Sequence, residues 1–430
     1  MGARIAIVGS GISGLGAAWA LHRDNDITVF EADARIGGHS HTVDVATDEG
    51  VTSVDTGFIV YNEVTYPNLT RLFGELDVPT QPSDMSFSFS LDGRLEYAAS
   101  IGGVLAQPSN LLRPRFVRML RDIDRFRRTG SRLTPGPDET IGALLRRHGF
   151  GPGFMHDYLF PMTGAIWSSS REDIAGFPAA SILAFLGNHG LIEVVGRPTW
   201  RTVTGGSRNY VSRLVAGFRD RIRTNTPVTG VSRGAGGVTV RSDGRAETFD
   251  ELVLACHSDQ ALQVLGTDAT DSERLLLGAI RYQPNVAVLH GDPAAMPTRR
   301  GVWSAWNARA RTEDIGPRPA SVTYWMNRLQ SLEGQSLFVT LNPIEELNRV
   351  HARLRYSHPS FDRKAIDAQV GITAIQGRHN TWFAGAYLGY GFHEDGLQSG
   401  LNVAAALGSP SPWHGSFTPA SSATMARARP

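Results

Sequence analysis

Lysine is nearly missing from this chain. Of 42 lysines and arginines among 430 residues, only Lys364 is a lysine. A mechanism that needs a catalytic lysine must use Lys364 or be set aside. Cysteine is as scarce. Cys256 stands alone, which excludes a disulfide framework and a cysteine-rich metal or iron–sulfur site within one chain. A reducing, cytoplasmic setting is the expectation. The formal net charge is +1, without the basic excess of a dedicated nucleic-acid binder. No apolar run approaches the roughly 18–20 residues of a membrane span. The apolar stretch after Arg4 is broken by Gly9, Ser10, Gly11, Ser13, Gly14 and Gly16, unlike a signal-peptide core. The 13 histidines show no metal-binding spacing, so no metal site is expected.

Those glycines carry the strongest pattern in the chain. Ile5–Val8 is a β-branched run, and Gly9-x-Gly11-x-x-Gly14 follows it. Leu15–Leu21 then has helical composition, and Ile27–Phe30 is a second apolar run ending in Glu31. Strand, glycine turn, helix and strand in this order predict a parallel sheet with a dinucleotide site. The first glycine permits the turn, the second lets backbone approach a pyrophosphate, and the third packs helix on strand. The helix N-terminus, near Ser13, offers unpaired N–H groups to phosphate. Glu31 lies about 20 residues beyond Gly11, where a carboxylate accepts from ribose hydroxyls and repels a 2′-phosphate.

The residues after Glu31 choose between dinucleotides. Glu31-x-x-x-Arg35-x-Gly37-Gly38-His39 resembles the continuation found in flavin amine oxidases, protoporphyrinogen oxidases and phytoene desaturases. Other blocks resemble the same superfamily. Ser53–Phe58, with Gly57 and Phe58, resembles the strand beside the flavin ring. Thr226-Pro227-Val228 resembles the strand whose valine contacts adenine. Thr381–Ala386, with Gly385 and Ala386, then Gly396-Leu397-Gln398-Ser399-Gly400, resemble the C-terminal flavin motif. The resemblance implies noncovalent FAD. It also implies an α/β fold: a Rossmann-like FAD-binding domain of glutathione-reductase type, amine-oxidase-like, with an inserted α+β substrate domain. The strings Val54–Asn62, Pro161–Ser168 and Gly389–Gly396 resemble a narrower bacterial group of NAD/FAD-binding proteins. Genes of that group often neighbour cyclopropane-fatty-acid-synthase-like methyltransferases, a context that suggests a lipid acyl substrate. Three positions depart from the amine oxidases: Asp33 and His39 stand where arginines are common, and Ala386 where a polar residue is usual.

The motifs divide the chain into interleaved parts. The expected FAD-binding domain is 1–75, 200–280 and 375–408, and the expected substrate domain is 76–199 and 281–374. Helices are expected over Leu111–Arg128, Phe177–Ile192 and Leu397–Leu407. Short strands are expected at Val228–Val231, Gly237–Arg241, Glu247–Leu254 and Thr381–Ala384. Residues 409–430, rich in Ser, Pro and Ala, are expected to be disordered.

The residues expected beside the flavin are Tyr387, Tyr390, Phe392, His393 and Glu394. Phe392 would line a substrate cage, and His393, paired with Glu394, could be an acid or base. The alternative is that these residues cap a helix starting near Gly396, with Asp395 as its N-cap. Lys364 reads as a solvated residue in a charged stretch, which argues against simple amine oxidation. Cys256-His257 follows a strand, where neighbours point opposite ways, so the cysteine reads as structural. The Arg-rich segment 111–128 could rest on anionic lipid at the inner membrane surface or be an ordinary solvated helix. The functional expectation is an FAD-dependent oxidoreductase acting on a small hydrophobic substrate, with redox or isomerisation at a carbon–carbon bond of a lipid acyl chain. An external electron acceptor or donor would complete it. A flavin amine or amino-acid oxidase, and a non-catalytic flavin-binding partner protein, are the competing expectations.

Overall fold

A computed structural model describes residues 2–48, 50–188, 190, 198–311 and 320–415. The glycine-turn unit builds a five-stranded parallel sheet in the order Ile222–Arg223, Asp26–Phe30, Arg4–Val8, Glu251–Leu254 and Thr381–Phe383. Val8 pairs with Phe30 on one side and Leu254 on the other, and Leu254 pairs with Phe383. These strands are buried on both faces, which is why they read as continuous apolar runs. Three segments distant in sequence thus end at one sheet edge.

Helix Ile12–Leu21 lies against this sheet and crosses the C-terminal helix His393–Ala406. The crossing is close because it is lined by glycine. A Cβ on Gly400 would sit 2.1 Å from the Ser13 carbonyl oxygen, and one on Gly16 would sit 2.7 Å from Leu397. The C-terminal helix begins at His393, four residues before the expected start at Leu397, with Phe392 as N-cap.

The expected strand Glu247–Leu254 is two elements. Arg245–Phe249 closes an antiparallel three-stranded sheet with Val228–Gly234 and Gly237–Ser242, whereas Glu251–Leu254 turns into the parallel sheet. Asp250 marks the break, and its backbone N–H donates to Arg4.

A second sheet of seven strands runs Val350–Pro359, Tyr282–His290, Phe338–Leu341, Ser321–Trp325, Trp306–Ala310, Phe87–Leu91 and Leu95–Ala98. Trp306–Ala310 and Phe87–Leu91 pair in parallel, so the sheet joins chain from before residue 100 to chain beyond 280. Helices Pro114–Thr129, Ile141–Arg147, Phe160–Trp167 and Ala179–Asn188 pack into their own apolar core. The expected helix 177–192 is seen as Ala179–Asn188; residues 189, 191 and 192 lie outside the described residues.

One expectation is corrected. Residues 409–415 are packed, not disordered: Trp413 is 4% exposed, stacks on Trp19 with centroids 5.6 Å apart, and donates from Nε1 to Asn68 Oδ1 at 2.9 Å. One large aromatic side chain outweighs the polar composition around it. Residues 416–430 lie outside the described residues. In the Arg-rich segment, four of the seven arginines have carboxylate partners. Arg115 pairs with buried Asp157 at 2.6 Å, Arg118 and Arg125 flank Asp122, and Arg128 pairs with Asp124.

Candidate flavin site

Gly9 follows the first strand with φ +106, and its N–H donates to the Phe30 carbonyl. The turn this makes leaves no room for a side chain at Gly14, where a Cβ would lie 2.0 Å from the Gly9 oxygen. Gly11 is different: a Cβ there would meet nothing within 4 Å. The space before helix Ile12–Leu21 is therefore open, and no side chain caps that helix. Its first N–H groups and dipole face this space, the arrangement that receives phosphate.

Glu31 stands at the mouth of the turn. Its carboxylate accepts from Ser10 N at 3.0 Å, from the Ser10 hydroxyl, and from Asp33 N at 2.9 Å. A carboxylate has about four acceptor positions, so capacity for a ribose hydroxyl is left. Thr226 N donates to the Glu31 carbonyl at 2.8 Å, which brings Val228 beside this end of the site.

The second glycine pair lies on the first. Gly38, at φ +57, is so close to Gly11 that a Cβ would come within 2.9 Å of its Cα. Arg35 turns back to the carbonyls of Ile36 and Ser40. His39 follows. Its carbonyl accepts from Phe58 N at 2.8 Å and crowds Gly57, where a Cβ would lie 2.2 Å away. The His39 ring stacks on Tyr356 at 4.9 Å, and its buried Nε2 has no hydrogen-bond partner. Buried polar atoms are rarely left unpaired. Open space at Gly11 and an unpaired nitrogen at His39 together fit an extended phosphate-bearing cofactor.

Around His39 the structure assembles residues from six other segments. His358 lies 5.4 Å from it, ring to ring. Ser168 Oγ approaches His358 Nδ1 at 2.9 Å, and Asn285 Nδ2 at 3.3 Å. The His393 ring stacks flat on Phe58 at 3.9 Å, and its Nε2 is 2.6 Å from the Tyr210 hydroxyl, itself 2.5 Å from Ser40 Oγ. Burial holds all these imidazoles neutral. His393 is lowered to about 3 and His358 to about 4, and His39 also falls well below the usual range.

The other expected catalytic residues separate. Phe392 stacks on Phe185 at 5.1 Å and joins Trp167 and Tyr390 in an aromatic wall. Half-buried Met162, Ile166 and Leu183 continue that wall. Tyr387 points elsewhere, into the core beneath the parallel sheet, with its hydroxyl unpaired. Glu394 does not pair with His393. It accepts from Asn68 N at 2.9 Å, Leu69 N at 3.0 Å and Asn68 Nδ2 at 2.6 Å, and so caps helix Pro67–Glu75. Asp395 accepts from the N–H groups of Tyr390 and Phe392; it is not the expected N-cap but lies three residues past the observed one, Phe392.

Gly385 donates its N–H to Ser399 Oγ at 2.8 Å. Gly396 closes on Ile12 and Ser13, each 2.9 Å from where its Cβ would be, with Ala386 beyond. Leu397 is fully buried in the helix crossing, so only its backbone can face a ligand. Cys256 is a poor nucleophile, since burial pushes its thiol up to about 12. Lys364 is exposed on helix Arg363–Thr373.

Tyr210, Ser168, Asn285, Tyr356 and His358 were missed from the sequence. Tyr356 and His358 alternate on one strand, which places both on one face. Ser168 lies in a string already singled out. Nothing local pointed to Tyr210 or Asn285.

Residues 12–290 match the family described as flavin containing amine oxidoreductase. AofH of Mycobacterium tuberculosis, named as a flavin-containing monoamine oxidase, is 28% identical over 254 residues, 56% of this chain and 54% of its own. This chain thus spans about half the length of that relative. Among solved structures, a CLA-producing fatty acid isomerase from P. acnes superimposes with TM-score 0.68 at 16% identity, over 94% of this chain and 98% of its own. Cyclohexylamine oxidase from Brevibacterium oxydans does so with TM-score 0.67 at 18% identity, over 95% and 99%. Glycine turn, carboxylate, glycine pair and C-terminal helix thus have a common explanation: the chain belongs to the flavin containing amine oxidoreductase family, with FAD as its cofactor.

Proposed function

We propose that this protein is an FAD-dependent oxidoreductase acting on a small hydrophobic substrate, with redox or isomerisation at a carbon–carbon bond of a lipid acyl chain. The observation that carries this is the character of the wall beside His393. It is aromatic and aliphatic, its neighbouring imidazoles are held neutral by burial, and the chain's only lysine is exposed elsewhere. FAD, when bound, supplies the two-electron chemistry. Gly11, Glu31, Gly38 and His39 would hold its nucleotide half, and Phe58, Gly385, Ala386 and the start of the C-terminal helix its ring.

The residues of the chain have limited roles. Trp167, Phe185, Tyr390 and Phe392 exclude water and orient an apolar chain. His393 at about 3 is uncharged in neutral solution, with one ring nitrogen free to accept, so it serves as a hydrogen-bond acceptor or a weak base, steadied by Tyr210. Fold likeness does not choose the substrate, since one similar fold is named for a fatty acid and another for an amine. The amine-oxidase reading retains one support, an aromatic cage that also suits an uncharged amine.

An external electron acceptor or donor completes the scheme. Peripheral contact of the Arg-rich segment with anionic lipid would fall to Arg113, Arg121 and Arg127, the arginines there without a carboxylate partner among the described residues. No helix among the described residues is long and apolar enough to cross a membrane. The test is anaerobic incubation of the FAD-loaded protein with unsaturated fatty acids and, separately, primary amines. A change in double-bond number or position supports the proposal. Anaerobic flavin bleaching with amines alone, followed by peroxide release when oxygen is admitted, would overturn it.

A further inference from the structure

A second cavity, of about 610 Å³, opens at the far end of the strand that serves the histidine cluster. Asn285 reaches His358 at one end of strand Tyr282–His290, and Gly291 lines the cavity beyond the other. At about 3.3 Å per residue the separation is roughly 20 Å, so this is not the flavin site.

Three arginines and two tryptophans line it: Arg300, Arg328, Arg349, Trp303 and Trp325. Arg300 lies over Trp303 at 5.6 Å and Arg328 over Trp325 at 5.8 Å. Only Arg328 has a carboxylate partner, Asp84 at 2.8 Å. Among the described residues Arg300 and Arg349 have none. The backbone at Arg349 is nonetheless held in place. Its carbonyl accepts from Gly291 N at 3.0 Å, and Asn348 beside it donates twice to Asp292. Trp325 Nε1 is buried without a partner.

Guanidinium groups without carboxylate partners lining a cavity of ligand size point to an anion. A carboxylate is satisfied by one guanidinium fork, whereas the peripheral oxygens of a phosphate can engage two. We infer that this cavity is a phosphate-recognition site, held chiefly by Arg300 and Arg349, with the tryptophans receiving the apolar or planar part of the ligand. The phosphate could belong to a soluble metabolite or to a lipid head group. The surface beside it favours the lipid source. Helix Ile101–Leu105 abuts the Arg300 turn, where a Cβ on Gly301 would lie 3.4 Å from Ala106. That helix exposes Ile101 at 86% and Leu105 at 50%.

The FAD-loaded protein and its Arg300→Gln/Arg349→Gln variant should be titrated calorimetrically with inorganic phosphate against chloride at equal ionic strength. Both should also be sedimented with phosphatidylcholine vesicles with and without phosphatidic acid. The thermal midpoint and flavin spectrum report that the variant is folded. Saturable phosphate binding, at least tenfold weaker in the variant, supports the site with a soluble ligand. Retention on phosphatidic acid vesicles that the variant loses supports it with a lipid ligand. Response to neither probe, equal response to chloride, or responses unchanged in the folded variant would overturn it.

Discussion

Glu394 separates a chemical from an architectural reading of one carboxylate. Its oxygens receive two backbone N–H groups and one side-chain amide from the start of helix Pro67–Glu75. At pH 8 the carboxylate is ionised, and a hydrogen bond to a charged group contributes about 1.5 kcal/mol or more. Water can enter this half-buried position after truncation. Glu394→Ala is therefore expected to cost about 3 kcal/mol rather than the full sum of three bonds. Glu394→Gln keeps an acceptor oxygen and should cost about 1 kcal/mol. Burial raises this carboxyl from 4.5 to about 7, against its hydrogen bonds. The folded chain then binds this proton more tightly than the unfolded chain. Its stabilising contribution is complete below pH 4.5 and is lost as pH rises through about 7. Glu394→Gln, which cannot ionise, should flatten thermal midpoint against pH over that interval. The assays are thermal unfolding from pH 4 to 8 and single-turnover flavin reduction at 10 °C. A Glu394→Ala protein of unchanged stability but abolished flavin reduction would refute the capping argument and restore a catalytic role.

Three further outcomes follow from the same geometry. Glu31→Ala removes the acceptor at the nucleotide end and should weaken FAD binding about tenfold or more, with the fold retained, by equilibrium dialysis; unchanged affinity would remove Glu31 from the site. His393→Ala should keep FAD and slow flavin reduction roughly a hundredfold. With His393 lowered to about 3, the wild-type rate should show no step from this residue between pH 5 and 8; equal rates in variant and wild type would leave it a packing residue. Trp413→Ala should cost about 3 kcal/mol in urea unfolding, whereas a tail without a packing role would show no change.

What could be read from the sequence was what local geometry imposes. The turn was legible because Gly9 and Gly14 report contacts within a few residues or across one sheet pairing, and Gly11 follows from their spacing. The pair at Gly37 and Gly38 was legible through family resemblance, and its reason, close approach to Gly11, needed the structure. The capping contacts of Glu394 were not legible because its partner, Asn68, lies 326 residues away in sequence. Tyr387 was placed at the site by sequence proximity to Gly385, yet the backbone turns its ring into the core. Trp413 was lost in a polar stretch because composition averages hide a single large anchor. Tyr210, Asn285 and His358 come from three separate segments that only the fold brings together.

The central claim is that the open space before Gly11 holds FAD. The most direct test is the flavin content of the purified protein, read from its visible spectrum and from the cofactor released on denaturation. The expected result is a yellow protein that releases about one intact FAD per chain. A folded, colourless protein that takes up no FAD when it is supplied would contradict the account.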